Sequence, residues 1–248
     1  PFHVEQGNLQ KAIAGAYSLN VLGLNVTVPY KQAVISCLDC VEGLAEKIGA
    51  VNTLVRTENG FRGYNTDMMG LYRAMEEEGI AFEAEDMILL GAGGAARAAA
   101  FLCAEKGAKR VYLLNRSYEK AAVLAEEVNR AYERDCILPM ALSEYEKLPE
   151  EKMTAIQGTS AGLYPNTEDA VILDPAFYQH ISKAYDLIYK PEETRFMKLV
   201  KEAGGEAYCG IRMLLYQGII AYELFLDTKV PENVIRKVSA LLQEKVKG

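Results

Sequence analysis

Met87-Ile88-Leu89-Leu90-Gly91-Ala92-Gly93-Gly94-Ala95-Ala96-Arg97-Ala98 is the stretch that decides the fold. Four apolar residues run into a glycine turn, and small residues then open a helix. That is the form of a dinucleotide pyrophosphate site at the end of a parallel strand. Gly91 permits the tight turn, Gly93 lets a pyrophosphate approach the backbone, and Ala96 is small enough for close helix–strand packing. The amides and positive end of the helix from Ala95 then face negative phosphate. No Gly-Lys-Ser/Thr follows, which argues against a phosphate-loop ATPase.

Outward from this loop, strands and helices alternate. Strands are expected at residues 87–90, 110–114, 136–140, 154–157, 184–188 and, more weakly, 206–208. Helices are expected at 95–106 and 119–132. This alternation implies a Rossmann-like, doubly wound parallel sheet. The first eighty residues read as a separate α/β unit. It has helices at 8–19, 31–40 and 67–78, strand then turn over 23–29, and a strand at 50–56 returning at 61–64 through Glu58-Asn-Gly60. Pro1-Phe2-His3-Val4 reads as the inside of a further strand. Two closing helices are expected at 211–226 and 233–245. The expected division is a substrate-binding unit at 1–82, a dinucleotide-binding unit at 83–212, and helices at 213–248 that return to the first unit. A cleft between the two units would set a substrate beside the nucleotide.

The bulk composition narrows the function. The chain has 248 residues, is 50% hydrophobic, and carries a formal charge of −7. That balance supports a real core and argues against a nucleic-acid footprint. No run of about eighteen apolar residues suggests a membrane span, and no leader pattern suggests secretion. Cys37 and Cys40 have redox or metal spacing but no second pair, and there are only two histidines. Free thiols in a reducing, cytoplasmic setting are expected, with no metal.

The end of the second parallel strand bears on which cofactor binds. An acidic residue there usually holds an unphosphorylated ribose. This chain has Asn115-Arg116-Ser117, with Lys120 one turn on. A guanidinium and a hydroxyl suit a ribose phosphate, so NADP is expected.

Hydride transfer to a carbonyl also needs a proton donor. His180 sits at an expected helix end, and His3 has no visible partner, so neither is a strong candidate. Lys31 follows a strand end and would open a helix, where the positive helix terminus and partial burial disfavour a charged amine. Asp67 stands at another strand–helix junction. From the residues alone, each reads equally as a cap or a surface charge.

Three blocks in order now carry a resemblance. Gly23-Leu-Asn-Val-Thr-Val-Pro-Tyr-Lys31, Gly49-Ala-Val-Asn-Thr53 and Gly63-Tyr-Asn-Thr-Asp67 resemble signature segments of the shikimate dehydrogenase family. Gly158-Thr-Ser-Ala-Gly162, Asp186-Leu-Ile-Tyr-Lys-Pro191 with Thr194, and Gly210-Ile-Arg-Met-Leu-Leu-Tyr-Gln217 resemble its later segments, so the likeness spans about residues 1–240. The resemblance implies NADPH-dependent, reversible reduction of 3-dehydroshikimate to shikimate, in aromatic amino-acid biosynthesis. It assigns acid/base chemistry to Lys31 with help from Asp67. Thr27, Asn52, Tyr189 and Gln217 would contact the substrate. Gly91, Gly93, Gly94, Ala95, Asn115, Arg116, Ser117, Lys120, Thr159, Ser160, Gly210 and Met213 would contact the cofactor.

The likeness departs in two places. The family carries a serine-x-serine pair ahead of a strand like Phe2-His3-Val4, and this sequence begins after that point, so a native N-terminal segment is expected to be missing. Gln157 stands where asparagine is more common. The alternatives are a quinate/shikimate dehydrogenase with mixed cofactor use, a methylene-tetrahydrofolate dehydrogenase, and a non-catalytic regulatory relative. Arg116 argues against strict NAD use, the Asn65-Thr66-Asp67 block against the folate enzyme, and an intact Lys31 and Asp67 against the regulatory relative. A monomer or a homodimer fits the sequence equally.

Overall fold

The computed structural model describes residues 1–247. It contains two sheets that share no strand. The first is built from β1 (Gly23–Asn25), β2 (Cys40–Val41), β3 (Thr53–Arg56) and β4 (Phe61–Tyr64), in the order β1-β3-β4-β2. Its β1·β3 and β3·β4 pairs are antiparallel and its β2·β4 pair is parallel. Helices α1 (Leu9–Ser18), α2 (Gly43–Ile48) and α3 (Thr66–Glu77) accompany it. Ile13, Val34, Ala45, Val51, Leu54 and Phe61 form its core.

The second sheet is entirely parallel. Its strands are β5 (Asp86–Leu90), β6 (Arg110–Asn115), β7 (Ile137–Ala141), β8 (Met153–Gln157), β9 (Ile181–Asp186) and β10 (Glu206–Tyr208). The order β10-β9-β8-β5-β6-β7 reverses direction between β5 and β8. The Rossmann-like, doubly wound sheet expected from the sequence is therefore present. The glycine loop after β5 lies at the switch point, where such sheets open a crevice beyond their carboxyl ends. Helices α4 (Gly94–Glu105), α5 (Tyr118–Tyr132), α6 (Pro175–Tyr178) and α7 (Arg195–Glu202) connect these strands, and α8 (Ile211–Leu226) and α9 (Glu232–Lys247) close the chain. Strand β5 divides its side chains between two cores. Met87 and Leu89 face α4, α5 and α8, while Ile88 and Leu90 face the α6 and α7 side. That two-residue alternation is what burial of both faces requires.

The two halves meet through α3 and α8. A Cβ built on Gly70 of α3 would lie 2.6 Å from the Gln217 amide nitrogen and 3.0 Å from the Met213 carbonyl oxygen of α8. The helices thus touch backbone to backbone, which only glycine permits at that position. At the other end of α8, the Phe225 ring packs where a side chain on Gly23 of β1 would stand.

Several expected elements differ. The 31–40 segment is not an α-helix: Lys31 and Gln32 form a turn, residues 33–37 make one short 3-10 helix, and Cys40-Val41 leaves to pair with Arg62-Gly63. Pairing in the sheet overrides the local helical pattern there. The strand and turn expected over 23–29 are present, with the strand at Gly23–Asn25 and the turn at Val28-Pro29, but residues 1–5 form no strand. The Val4 carbonyl accepts from the Tyr30 hydroxyl at 2.7 Å and the Glu5 carbonyl from the Asn8 amide at 3.0 Å. Strand β9 begins three residues earlier than expected. Its polar Ser182 and Lys183 hide it, because the Lys183 ammonium leaves the sheet to bond the Glu78 and Gly79 carbonyls that end α3. The short helices α2, α6 and α7 have no apolar period long enough to read, although Glu42, Asp174 and Thr194 cap them.

Candidate functional site

Lys31 and Asp67 are brought together. The lysine ammonium lies 2.7 Å from Asp67 Oδ2, with the lysine side chain 33% exposed and the aspartate 15%. Each is fixed by its own element. The Lys31 carbonyl accepts from the Val51 amide at 2.8 Å, which ties the turn to the segment entering β3. Asp67 sits in the first turn of α3, whose N-cap Asn65 accepts from the Met68 amide at 3.1 Å. The Asn65 amide also donates to the Ala50 carbonyl at 3.0 Å. Lys31 therefore stands on a turn and not at an α-helix N-terminus, so the helix-terminus argument made from the sequence does not apply. A carboxylate partner holds its ammonium instead. Of the three ammonium donors, one is directed at Asp67, and Asp67 Oδ1 is left as an acceptor.

Asn52 lies beside this pair and is 4% exposed. Its side-chain oxygen accepts from the Thr66 amide at 2.8 Å, the Thr66 hydroxyl at 3.2 Å and the Thr53 hydroxyl at 3.1 Å. Those bonds fix which way the amide turns and leave its NH2 group as the end with donors to offer. Asn25 donates its side-chain amide to the Thr53 hydroxyl at 3.1 Å. Thr27 is exposed in the turn after β1. Gln217 belongs to the α8 turn that crosses Gly70, and Asp67 lies three residues before Gly70 on the same face of α3.

The cofactor-binding candidates gather at the carboxyl ends of the parallel strands. Gly91 has φ +105°, and a side chain there would strike Thr159 Cγ2 at 2.7 Å. Both facts require glycine. Gly93 N-caps α4 without any side-chain cap, and side chains on Gly93 or Gly94 would meet nothing within 4 Å. An uncapped helix start with open space before it suits an anion. A groove here is lined by Gln32 from the first unit and by Ala92, Gly93, Gly94, Arg97, Glu119 and Lys120 from the second. Its chemistry fits a dinucleotide. Thr159 and Ser160 stand across the loop, where buried Gln157 accepts from the Thr159 amide at 2.5 Å and donates to the Ala161 carbonyl at 3.1 Å.

At the end of β6, the Asn115 amide donates to the Ser117 carbonyl at 2.8 Å, which shapes the turn. Arg116 and Lys120 are exposed and join no ion pair among the described residues. The Ser117 hydroxyl donates a hydrogen bond to Glu119 Oε2 at 2.8 Å. The backbone amide at the α5 start and then that hydroxyl hold the Glu119 carboxyl below the usual range. A phosphate here would accept the Ser117 hydrogen bond in place of Glu119. Tyr189, 42% exposed, lies in the loop after β9. Gly210 N-caps α8, with Met213 in that helix's first turn. A side chain on Gly210 would lie 2.4 Å from the Leu187 carbonyl oxygen, so the β9 loop rests directly on the start of α8.

Four positions escaped the sequence reading. Arg97 links the two halves: its Nε donates to the Ile48 carbonyl at 2.7 Å, and its guanidinium pairs with Glu127. Gly70 carries the α3–α8 contact; a glycine inside a helical pattern was the available signal. Gly158 makes the close helix–strand contact together with Ala96, since a side chain on it would lie 2.9 Å from Ala96 Cα. Asp186 is fully buried at the end of β9. Its Oδ1 accepts from the Ile188 amide at 2.9 Å and its Oδ2 from the Thr194 hydroxyl at 2.6 Å. Burial pushes its carboxyl up to about 7 against the opposing pull of the Thr194 and Ile188 bonds.

Comparison with known proteins matches three family models along the chain. They are the shikimate dehydrogenase substrate binding domain over residues 1–54, shikimate / quinate 5-dehydrogenase over 74–166, and the shikimate 5'-dehydrogenase C-terminal domain over 210–238. A shikimate dehydrogenase (NADP(+)) of Desulforamulus reducens is 39% identical over 96% of this chain and 82% of its own length. The crystal structure of shikimate 5-dehydrogenase from Thermus thermophilus, in complex with NADP(H) and shikimate, superposes with a TM-score of 0.81. It is 29% identical, over 96% of this chain and 85% of that one. Quinate dehydrogenase from Corynebacterium glutamicum, in complex with NAD, gives 0.85 at 28% identity over 97% and 85%.

Proposed function

The chain belongs to the shikimate dehydrogenase family, and we propose that its reaction, the reversible NADP-linked reduction of 3-dehydroshikimate to shikimate, runs through Lys31 and Asp67. The observation that carries this assignment is the 2.7 Å pair itself. It joins a turn residue to a residue in the first turn of α3, 36 positions apart in sequence, beside a groove whose Gln32 follows Lys31 and whose far wall is the glycine loop.

When bound, NADPH would supply the hydride for reduction and NADP would take it back in the reverse direction. Gly91, Gly93, Gly94 and Ala95 hold its pyrophosphate against the uncapped start of α4. Asn115, Arg116, Ser117 and Lys120 surround its ribose phosphate. Thr159, Ser160, Gly210 and Met213 line the way to the nicotinamide. During reduction Lys31 delivers a proton to the carbonyl oxygen, and in the reverse direction it takes that proton from the hydroxyl. Asp67 orients the amine through Oδ2 and accepts a ring hydroxyl on Oδ1. The Asn52 NH2 group donates to a neighbouring hydroxyl, and Thr27, Tyr189 and Gln217 close the pocket. Amide and hydroxyl partners suit a ring bearing several hydroxyls, because an unmet buried hydroxyl is costly.

The expected domain division, 1–82, 83–212 and 213–248, is supported by the two strand-disjoint sheets and by the packing of α8 on Gly70 and Gly23. A cytoplasmic setting is supported by the five free cysteines. No described helix is long and apolar enough to cross a membrane. The protein acts as a monomer or a homodimer, which light scattering distinguishes. Oxidation of shikimate and quinate, each with NADP and with NAD, tests the substrate and cofactor. Shikimate with NADP should give the highest kcat/KM, and a preference for quinate with NAD would reverse the reading. Lys31→Ala should lower kcat by about 10²–10⁴-fold with NADPH binding nearly unchanged. Near-parental turnover would remove Lys31 from its role.

A further inference from the structure

Asp186 is a charged-type side chain in a place that its own sheet does not explain. It is the last residue of β9, it is 0% exposed, and no lysine or arginine pairs with it among the described residues. A buried carboxyl without a cation is expensive and persists where its hydrogen bonds fix something. Here both oxygens are used on the loop that follows. One accepts from Ile188 at 2.9 Å, turning the chain immediately after the strand. The other accepts from the Thr194 hydroxyl at 2.6 Å. Thr194 Oγ1 in turn caps α7 by accepting from the Met197 amide at 3.3 Å. The carboxyl therefore clasps both ends of the segment 187–194.

Two parts of the reacting centre rest on that segment. Tyr189 directly follows the residue held by Oδ1. The Ile188 carbonyl accepts from the Gly210 amide at 2.9 Å, and the Leu187 carbonyl touches Gly210, the N-cap of the helix that carries Met213 and Gln217. The ribose-phosphate loop at Asn115-Arg116-Ser117 lies at the end of β6, on the far side of β8 and β5 from β9. Disturbing the clasp should be felt at the substrate and nicotinamide end and not at the adenosine end.

We propose that Asp186, acting through Ile188 and Thr194, is a positioning residue for the reacting end of the cleft: it sets Tyr189 against the substrate and seats the start of α8 beside the nicotinamide. This rests on the family reaction and site assigned above.

The test uses the full chain carrying Thr194→Val, Thr194→Ser or Asp186→Asn. Steady-state oxidation of shikimate by NADP gives kcat and KM, and calorimetry gives the Kd of adenosine 2′,5′-bisphosphate, which reports the adenosine end alone. T194V removes the hydroxyl and keeps the shape. It should lower kcat/KM for shikimate by about tenfold or more, with the bisphosphate Kd within about twofold of the parent. T194S restores the hydroxyl and should recover most of the loss. D186N should shift shikimate KM and kcat in the same direction as T194V. If T194V keeps the parental kcat and KM, the clasp does not position the site. If its bisphosphate affinity falls in step with its activity, the residue supports the whole domain and the proposal is wrong. If the parent does not oxidise shikimate at all, the family reaction fails for this chain and the inference falls with it, a result separate from a failure of T194V alone.

Discussion

Asp186→Asn should change how stability depends on pH, and the size of the change follows from burial. The parent carboxyl is raised from an ordinary value of 3.8 to about 7 in the folded chain. An upward shift of about 3 units is equivalent to about 4 kcal/mol, because each unit is about 1.36 kcal/mol. The sign is fixed by which state binds the proton more tightly. Below about pH 4 both folded and unfolded chains are protonated at this group, and folding carries no charge cost. Between about pH 4 and 7 the unfolded chain releases the proton while the folded chain keeps it, so stability falls as pH rises. Above about pH 7 both are ionised and the full cost is present. About 3 kcal/mol of the change falls between pH 5 and pH 8.

Asparagine has no such charge. It keeps an oxygen for the Ile188 amide and turns its NH2 group toward Thr194, which imposes a cost that does not vary with pH. The difference in stability between D186N and the parent should therefore move in favour of D186N by about 3 kcal/mol on going from pH 5 to pH 8. At about 2–4 °C per kcal/mol for a chain of this size, that is a relative shift of about 6–12 °C. The chain has no tryptophan, so calorimetry or far-ultraviolet circular dichroism is the suitable readout. Parallel stability curves, with a difference constant within about 1 kcal/mol across this range, would refute the buried-carboxyl reasoning.

Two further perturbations test other parts of the site. Arg116→Ala removes a charged donor from the end of β6 and should raise KM for NADPH by roughly 10–100-fold, about 1.5–3 kcal/mol, while changing KM for NADH by less than about twofold; equal effects on both cofactors would disprove a phosphate contact. Gly70→Ala places a Cβ 2.6 Å from the Gln217 backbone nitrogen, so α3 and α8 must separate. It should cost about 1–3 kcal/mol of stability and reduce kcat, and a thermal midpoint equal to the parent's would show that the helices are not in the contact described.

The parallel sheet was legible because β5 writes its burial into four consecutive apolar residues and the glycine loop marks where the strand ends. The chemistry of the loop was legible for the same reason, since Gly91 has a positive φ that few other residues accept. The first unit was harder to read. Cys40-Val41 is a two-residue strand whose existence depends on Arg62-Gly63, and no local pattern of that length distinguishes it from the end of a helix. Lys31 was found as a candidate for a physical reason that the fold does not supply: it was expected at a helix start, and it stands on a turn facing Asp67. Arg97 was invisible because its role depends on the Ile48 carbonyl, 49 residues earlier. The function of Asp186 was hidden for a related reason, since a carboxylate at the end of a strand reads as solvated until the strand is known to be covered on both faces.

Gln157 and Asp186 are neighbours in register at the ends of β8 and β9. Each bends the loop above it through a side chain rooted beneath that loop. The shape of these two loops is therefore stored in the floor and not in the residues exposed to ligand. If Ser160 and Tyr189 contact the ligands as proposed, variation at those two positions would alter selectivity while the loop path persists. A directed-evolution library aimed at other hydroxylated rings should randomise those upper positions and keep Gln157, Asp186 and Thr194 fixed, so that each clone inherits a formed pocket with different walls.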